Sequence, residues 1–294
     1  MTTAPLLLSV PNVSEGGDRD TIEAIGAAFA PAALLDVHSD PDHGRSVFSL
    51  AAPQGVLADA LVNGATEVVK RLDVSAHPGI HPHVGAIDVA PVVYLDDERR
   101  GAAVAEALTA AALIGDELEL PVILYGQLAT TDANKERAAI RGGGPQALKA
   151  RIESGELTPD FGPKRIHPTA GALLVTARPP LIAFNLDLDT EDLELAKRIA
   201  ARLRESSGGL VGVRAIGLHL PARKRAQVSF NVHDHHAVPL RILVEEVRAE
   251  APIAEAELVG LAPEAAFEGF PGDVPLRGFD ASRHLVENAV RSLN

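Results

Sequence analysis

The sequence predicts an α+β fold built from two halves that each run β-α-β-β-α-β, and three observations predict it. Short apolar runs alternate with amphipathic helical stretches in the same order twice along the chain. The strand candidates alternate apolar and polar residues with period two. Turn signals rich in Gly, Pro and Asp separate them. That element order is the split βαβ, or ferredoxin-like, unit, whose helices cover one face of an antiparallel sheet.

In the first half, Leu6 to Val10 reads as a strand, followed by the loop Pro11-Asn12-Val13-Ser14-Glu15-Gly16-Gly17 and a helix over about Arg19 to Phe29. Leu34 to His38 and Ser46 to Leu50 read as two strands joined by a polar loop. Leu57, Leu61, Ala65, Val68 and Leu72 then recur at helical spacing. Ala86 to Leu95 is the next strand, with an Ala-rich helix over about Ala102 to Ile114 and a strand at Pro121 to Tyr125 after it.

The second half repeats the order. Ala172 to Thr176 and Leu181 to Leu188 read as a hairpin around Arg178-Pro179-Pro180. Asp189 or Thr190 caps a helix with Glu191 and Asp192 in its first turn, which Gly208-Gly209 ends. Val213 to Leu220 and Ala226 to Val232 form a hairpin around Arg223-Lys224-Arg225. Pro239 opens a helix that buries Leu240, Leu243, Val244 and Val247, and Glu257 to Leu261 is the last strand. The junction falls near Ala177 to Pro180, giving domains 1–177 and 178–294.

Each half offers one greasy and one polar strand face. Val228, Phe230 and Val232 oppose Gln227, Ser229 and Asn231; Ile182, Phe184 and Leu186 oppose Ala183, Asn185 and Asp187. Leu35 and Val37 oppose Asp36 and His38, and Ile87 and Val89 oppose Asp88. Two readings follow: solvated sheet faces, or polar faces that line a ligand channel.

Composition excludes several classes. With 294 residues and 46% hydrophobic content, the chain has ample core for one large or two small domains. It has no cysteine, so disulfides and thiolate chemistry are excluded, as suits a reducing cytoplasm. A net charge of −13 gives no basic footprint for nucleic acid. No apolar run reaches membrane-spanning length, and Met1-Thr2-Thr3-Ala4 does not read as a signal peptide.

Candidate chemistry gathers in histidine-rich loops. His77-Pro78-Gly79-Ile80-His81-Pro82-His83 precedes a strand, where a loop on a rigid scaffold suits a residue that gives and takes protons near neutral pH. The others are His233-Asp234-His235-His236 and the loop from Asp36 through His38 and His43 to Arg45. Imidazoles and carboxylates together allow a metal site, but no His-Glu-x-x-His stands on a helix, and no metal is expected. Asn12, Ser14 and Gly16 stand before a helix, where free N–H groups either welcome an anion or are simply capped. The segment Pro159 to Gly171 is either a plain linker or, through Lys164, Arg165 and His167, a mouth for an anionic ligand.

Taken in order, several segments resemble the formiminotransferase family. They are Pro11-Asn12-Val13-Ser14-Glu15-Gly16, Leu34-Leu35-Asp36-Val37, Arg45-Ser46-Val47, His81-Pro82-His83-Val84-Gly85-Ala86-Ile87-Asp88-Val89, Leu124-Tyr125-Gly126 and Pro159-Asp160-Phe161-Gly162-Pro163. Leu181-Ile182-Ala183-Phe184-Asn185, Ala226-Gln227-Val228-Ser229-Phe230-Asn231 and Glu257-Leu258-Val259-Gly260-Leu261 continue the match, which spans roughly residues 6 to 267.

The resemblance implies two ferredoxin-like subdomains with helices on their outer faces and a folate tunnel between the sheets. It implies a homodimer in the cytoplasm, joined through the N-terminal subdomain. Tetrahydrofolate is the implied co-substrate. The implied reaction moves a formimino group between N-formimino-L-glutamate and tetrahydrofolate, in histidine degradation and one-carbon metabolism. The family's catalytic histidine falls on His81, and its folate stretch on Gly162, Pro163, Lys164, Arg165, Ile166, His167, Pro168, Thr169, Ala170 and Gly171. His38, Arg45, Asp88, Asn185, Gln227 and Asn231 complete the expected binding set.

Three positions depart from the family pattern: His38 stands where an aspartate is common, His83 where an arginine is familiar, and Ala170 where an aromatic is expected. These departures keep open a different donor such as formyl-glutamate. The histidine clusters keep open a metal-dependent hydrolase, and a binder without turnover is a further alternative. No cyclodeaminase part is present, so cyclisation falls to a separate protein. The tail from Gly269 on resembles nothing in the family.

Overall fold

The computed structural model describes residues 4–76 and 81–293. Two compact units divide between Pro179 and Pro180. Both are mixtures of sheet and helix.

The first unit holds β1 (Leu6–Ser9), β2 (Asn12–Val13), α1 (Arg19–Ala28), β3 (Ala33–Asp40), β4 (Arg45–Pro53), α2 (Leu57–Arg71) and β5 (Ile87–Val93). After them come α3 (Arg100–Glu117), β6 (Val122–Leu124), α4 (Arg137–Arg141), α5 (Gly144–Glu153) and β7 (Leu173–Arg178). β1 and β2 act as one interrupted strand between β4 and β5, with β3 outside β4, all antiparallel. β7 then pairs in parallel with β5, and β6 in parallel with β7. The main core lies between this sheet and α1, α2 and α3, around Phe29, Phe48, Leu61 and Ile114.

Three sequence expectations need correcting here. The segment before Pro179 is not half of a hairpin: β7 pairs with β5 and β6 and belongs to the first unit. Its partners run parallel to it, and a parallel partner leaves no turn signature next to the strand. Second, this sheet is not open on one side throughout. Ile140, Leu148 and Ile152 of α4 and α5 pack with Val89, Ile123 and Leu174 in a second apolar layer.

Third, Ile87 and Val89 do not share a core. Asn12 faces Val89 while Val13 faces Ile87, so Asp88 is the extra residue of a β-bulge. Ile87 enters the helix-side core and Val89 the other layer. A bulge re-aims the side chain it carries, and here that side chain is a carboxylate. On β3, Val37 pairs with Phe48 and so shares its face, but on this edge strand it is 38% exposed.

The second unit is simpler. β8 (Ile182–Leu188), α6 (Leu193–Leu203), β9 (Val213–Leu220), β10 (Arg225–Val232), α7 (Leu240–Arg248) and β11 (Ile253–Val259) form an antiparallel sheet in the order β11-β8-β10-β9. The expected alternation holds: Ile182, Phe184, Leu186, Val228, Phe230 and Val232 pack under α6 and α7. Gly217 lets α6 lie directly on β9, since a Cβ there would stand 2.4 Å from the Lys197 nitrogen. The tail also belongs to this unit. Arg277 N–H donates to the Ala256 carbonyl at 2.8 Å, and α8 (Ala281–His284) and α9 (Val286–Arg291) follow.

Candidate active site

The bulged Asp88 is the centre of the first unit's polar cluster. It is fully buried, and one of its carboxylate oxygens, Oδ2, accepts from both Arg45 on β4 and Arg141 at the end of α4. Its other oxygen accepts the Val84 N–H at 2.9 Å. Burial alone would raise this carboxyl, yet Arg141, Arg45 and the Val84 amide hold it below the usual carboxylate range. Burial also pushes Arg45 down to about 10, against the pull of Asp88.

Arg45 connects this cluster to His81. Its Nη1 lies 3.4 Å from His81 Nε2, and its Nη2 donates to the Pro82 carbonyl at 3.3 Å. His81 Nδ1 stands 2.8 Å from that same carbonyl. A carbonyl only accepts, so Nδ1 carries the hydrogen and Nε2 keeps its lone pair. Desolvation, then the positive charges of Arg45 and Arg141, drive the His81 pKa well below 6.5. The ring is therefore neutral at physiological pH and ready to accept a proton. His43 stacks beside it at 6.0 Å between ring centroids. Asn12, its amide oriented to satisfy both neighbours, accepts from Arg45 at 3.3 Å and donates to the Val10 carbonyl at 3.0 Å.

The backbone around His81 is fixed by close approaches. Ser14 donates its hydroxyl to the Gly85 carbonyl at 2.8 Å. Ala86 N–H donates to Ala170, and Ala172 N–H to Val84. Gly171 has φ +73°, and a Cβ there would stand 2.4 Å from the Val84 carbonyl oxygen. The end of the 162–171 stretch thus packs against the segment leading to Asp88, while Gly162 at its start lies against Gly115 and Leu120.

Family models match residues 6–178 as the formiminotransferase domain, N-terminal subdomain, and residues 183–269 as the formiminotransferase domain. The chain is 36% identical to a glutamate formimidoyltransferase of Thermoplasma acidophilum, covering 98% of this chain and 99% of that protein. It is 33% identical to a glutamate formimidoyltransferase of Streptococcus pyogenes serotype M1, covering 97% and 98%. The chain belongs to the formiminotransferase family. A formimidoyltransferase-cyclodeaminase of Sus scrofa is 38% identical over 88% of this chain, which spans 50% of that protein's length.

Within this formiminotransferase chain, the expected site residues fall into separate places. His81, Arg45 and Asp88 converge. His38 pairs with Val47, two residues from Arg45 on β4, and so lies on the same sheet face. Ala170 is fully buried in the main core, with no side-chain surface left to wall a cleft. Lys164 and Arg165 are exposed, and Arg165 pairs with Glu119 at 3.2 Å. His167 Nδ1 accepts the Ala170 N–H at 3.0 Å, closing its own loop.

Asn185 and Gln227 lie in the second unit's polar face, bonded to Glu257 at 2.9 Å and to Asp187 at 2.7 Å. On that face Asn185, Asp187, Gln227 and Glu257 are buried, while Ser229 is half-buried. Asn231 sits half-buried towards the end of β10.

Two other expectations resolve differently. The N–H groups before α1 are taken by carboxylates: Glu15 accepts from Gly17 and Asp18, and Asp18 from Asp20 and Thr21. That loop is a helix cap, not an anion site. Among the described residues no group of three or more His, Asp or Glu is placed to hold a metal ion. His77 lies outside the described residues. The His235 and His236 rings lie tilted to each other, 4.1 Å between centroids, in the second unit, where Asp234 caps their turn.

The sequence reading missed Arg141 and Arg137 on α4, and Arg178. Two arginines four apart share a helix face, which was the available signal, but Gly142-Gly143-Gly144 hid the short helix.

Proposed function

We propose that this chain is a glutamate formimidoyltransferase that moves a formimino group between N-formimino-L-glutamate and tetrahydrofolate. The observation that carries the proposal is His81, a neutral imidazole with its lone pair on Nε2, beside a cluster of buried guanidiniums. In this reading the folate N5 attacks the formimino carbon and forms a tetrahedral intermediate. N5 loses its proton to His81 Nε2. The glutamate nitrogen takes that proton from His81 as its bond to carbon breaks. A base with a depressed pKa holds the proton briefly and hands it on readily, a contribution typically worth about 10²–10⁴-fold.

The binding set in this proposal is His38, Arg45, Asp88, the stretch 162–171, Asn185, Gln227 and Asn231. Arg45 and Asp88 act through position rather than by touching the reacting carbon: Asp88 holds Arg45, and Arg45 orients the imidazole. The two units act as ferredoxin-like subdomains, and both contribute residues that hold the folate. Support comes from the strand order of the second unit and from its buried polar face. The protein works as a cytoplasmic homodimer in histidine degradation.

A second donor, formyl-glutamate, rests on His38 and His83, which depart from the family pattern; the third departure, Ala170, is buried in the core and does not bear on it. Calorimetric titration with tetrahydrofolate, followed by turnover with N-formimino- and N-formyl-glutamate side by side, tests both. Folate binding with formimino transfer is the expected result. Transfer from the formyl donor alone favours the second reading, and binding with neither transfer overturns both.

A further inference from the structure

Four guanidiniums in the first unit gather around Asp88 and the neighbouring Tyr125. Arg45 on β4 and Arg141 on α4 share the Oδ2 of Asp88. Arg137, one helical turn before Arg141, lies over the Tyr125 ring with its guanidinium carbon 5.8 Å from the centroid. Arg178, at the end of β7, also meets Tyr125, and its Nη1 donates to the Pro179 carbonyl at 3.0 Å. Tyr125 is itself fixed: its N–H donates to Val175 and its carbonyl accepts from the Thr176 hydroxyl at 2.7 Å. Arg45, Arg141 and Arg178 all feel the charge of Arg137, so the four form one positive field.

Buried charge of one sign is costly unless something completes it. Asp88 neutralises one guanidinium and no more. Arg141 also keeps its Nε buried with no hydrogen-bond partner, although its side chain is only 11% exposed. A buried donor of this kind needs an acceptor. Arg137, by contrast, is half-exposed and reachable.

We infer that Arg137, Arg141 and Arg178 form the site that recognises the two carboxylates of the amino-acid substrate, and so select a dicarboxylic donor over a monocarboxylic one. The inference rests on the proposed formimino transfer for the identity of that substrate. N-formimino-glutamate carries two carboxylates and one amidinium, a net negative charge that suits a surplus of guanidiniums. Carboxylates take guanidiniums in bidentate fashion, which fixes orientation as well as affinity. Of the three, Arg141 bears on the His81 ring, and Arg45 links the same cluster to it, so a carboxylate on Arg141 lies on the side of the proton acceptor.

Arg45, Arg165 and Lys164 were the sequence's candidates for this clamp; Arg45 is held by Asp88, and the other two lie apart from the cluster. Both are exposed, and Arg165 is already paired with Glu119.

The test compares Arg137→Gln, Arg178→Gln and Arg137→Lys with the unaltered protein. Loss of one charged clamp is expected to raise KM for N-formimino-glutamate by about 10- to 100-fold, with KM for tetrahydrofolate unchanged. Arg137→Lys should recover part of the loss. N-formimino-glycine, lacking the side-chain carboxylate, should be a poor donor for the unaltered protein and lose less on substitution.

A parallel titration with glutarate and butyrate needs no turnover. Glutarate is expected to bind more tightly, and Arg137→Gln to erase most of the difference. If no formimino donor turns over but glutarate binding still depends on Arg137, the reaction assignment fails and the dicarboxylate site stands. If turnover is normal and neither variant changes donor KM or glutarate binding, the dicarboxylate site fails and the reaction stands.

Discussion

Asp88→Asn isolates the charge at the centre of the first unit while keeping its shape. The wild-type carboxylate is fully buried and answers three donors: Arg45, Arg141 and the Val84 N–H. Asparagine can still accept from Val84, but its amide hydrogens turn toward guanidiniums that also only donate. Two buried cations are then left with no counter-charge, a loss of about 3–5 kcal/mol. Arg141→Met is the control. It leaves Asp88 and Arg45 as a balanced pair, so its cost is expected to be nearer 1–3 kcal/mol.

The chain has no Trp, so far-UV circular dichroism in urea is the natural readout. With a slope of about 2 kcal/mol per M, a loss of about 4 kcal/mol moves the midpoint by about 2 M. The pH dependence gives a second signature. The folded carboxyl is held below 3.8, so its stabilisation is complete above that value and drains as pH falls through the lowered folded value. Asp88→Asn should lose this acid-side dependence. A midpoint shift smaller than that of Arg141→Met would refute the account of Asp88 as the charge that holds the cluster.

Three other perturbations report on separate parts of the molecule. His81→Ala is expected to keep the fold and tetrahydrofolate binding while turnover falls by about 10²–10⁴-fold, and near-normal turnover would remove the proton shuttle. Glu106→Gln should cost about 1–3 kcal/mol and raise hydrogen exchange at the start of α2. The Glu106 carboxylate accepts the Gly55 and Ala58 N–H groups at 2.6 and 2.8 Å, where Val56 offers no side-chain cap; unchanged exchange there would refute the remote cap. Arg277→Met tests the tail. Arg277 pairs with Asp187 at 3.3 Å, Glu255 at 2.8 Å and Glu257 at 2.5 Å, and its partial exposure limits the expected cost to about 1–2 kcal/mol in thermal unfolding.

Legibility in the sequence followed the range of the forces involved. The second unit could be read almost strand by strand, because β8 and β10 alternate strictly and each turn carries its own Gly, Pro or basic signal. β7 could not, because parallel pairing with β5 depends on residues about 85 positions away and leaves no local period. The Arg178-Pro179-Pro180 turn also imitates a hairpin. In the site, His81 and Arg45 stand in recognisable segments and were named. Arg137 and Arg141 lie on a five-residue helix followed by three glycines, too short for periodicity to reveal. Nor does residue type show that Asp88 is the extra residue of a bulge; only the register against Asn12 and Val13 does.

The guanidinium cluster and the neutral His81 are two consequences of one charge distribution, and their coupling has a direction. In the free protein, desolvation and the positive charges of Arg45 and Arg141 keep a proton off His81. A dicarboxylate seated on Arg137, Arg141 and Arg178 adds negative charge to the same field and offsets part of that repulsion. The imidazolium becomes less costly, so the His81 pKa rises toward 6.5 when the amino-acid substrate is bound. The pH profile of kcat/KM reads the free protein and that of kcat the complex. The acid limb, below which His81 is already protonated and cannot act as base, should therefore lie below 6.5 in kcat/KM and at a higher pH in kcat. With Arg137→Gln the seat is weakened and the two limbs should draw together. A kcat limb at or below the kcat/KM limb would mean that the carboxylates bind elsewhere, and that the depressed proton affinity of His81 is independent of its substrate.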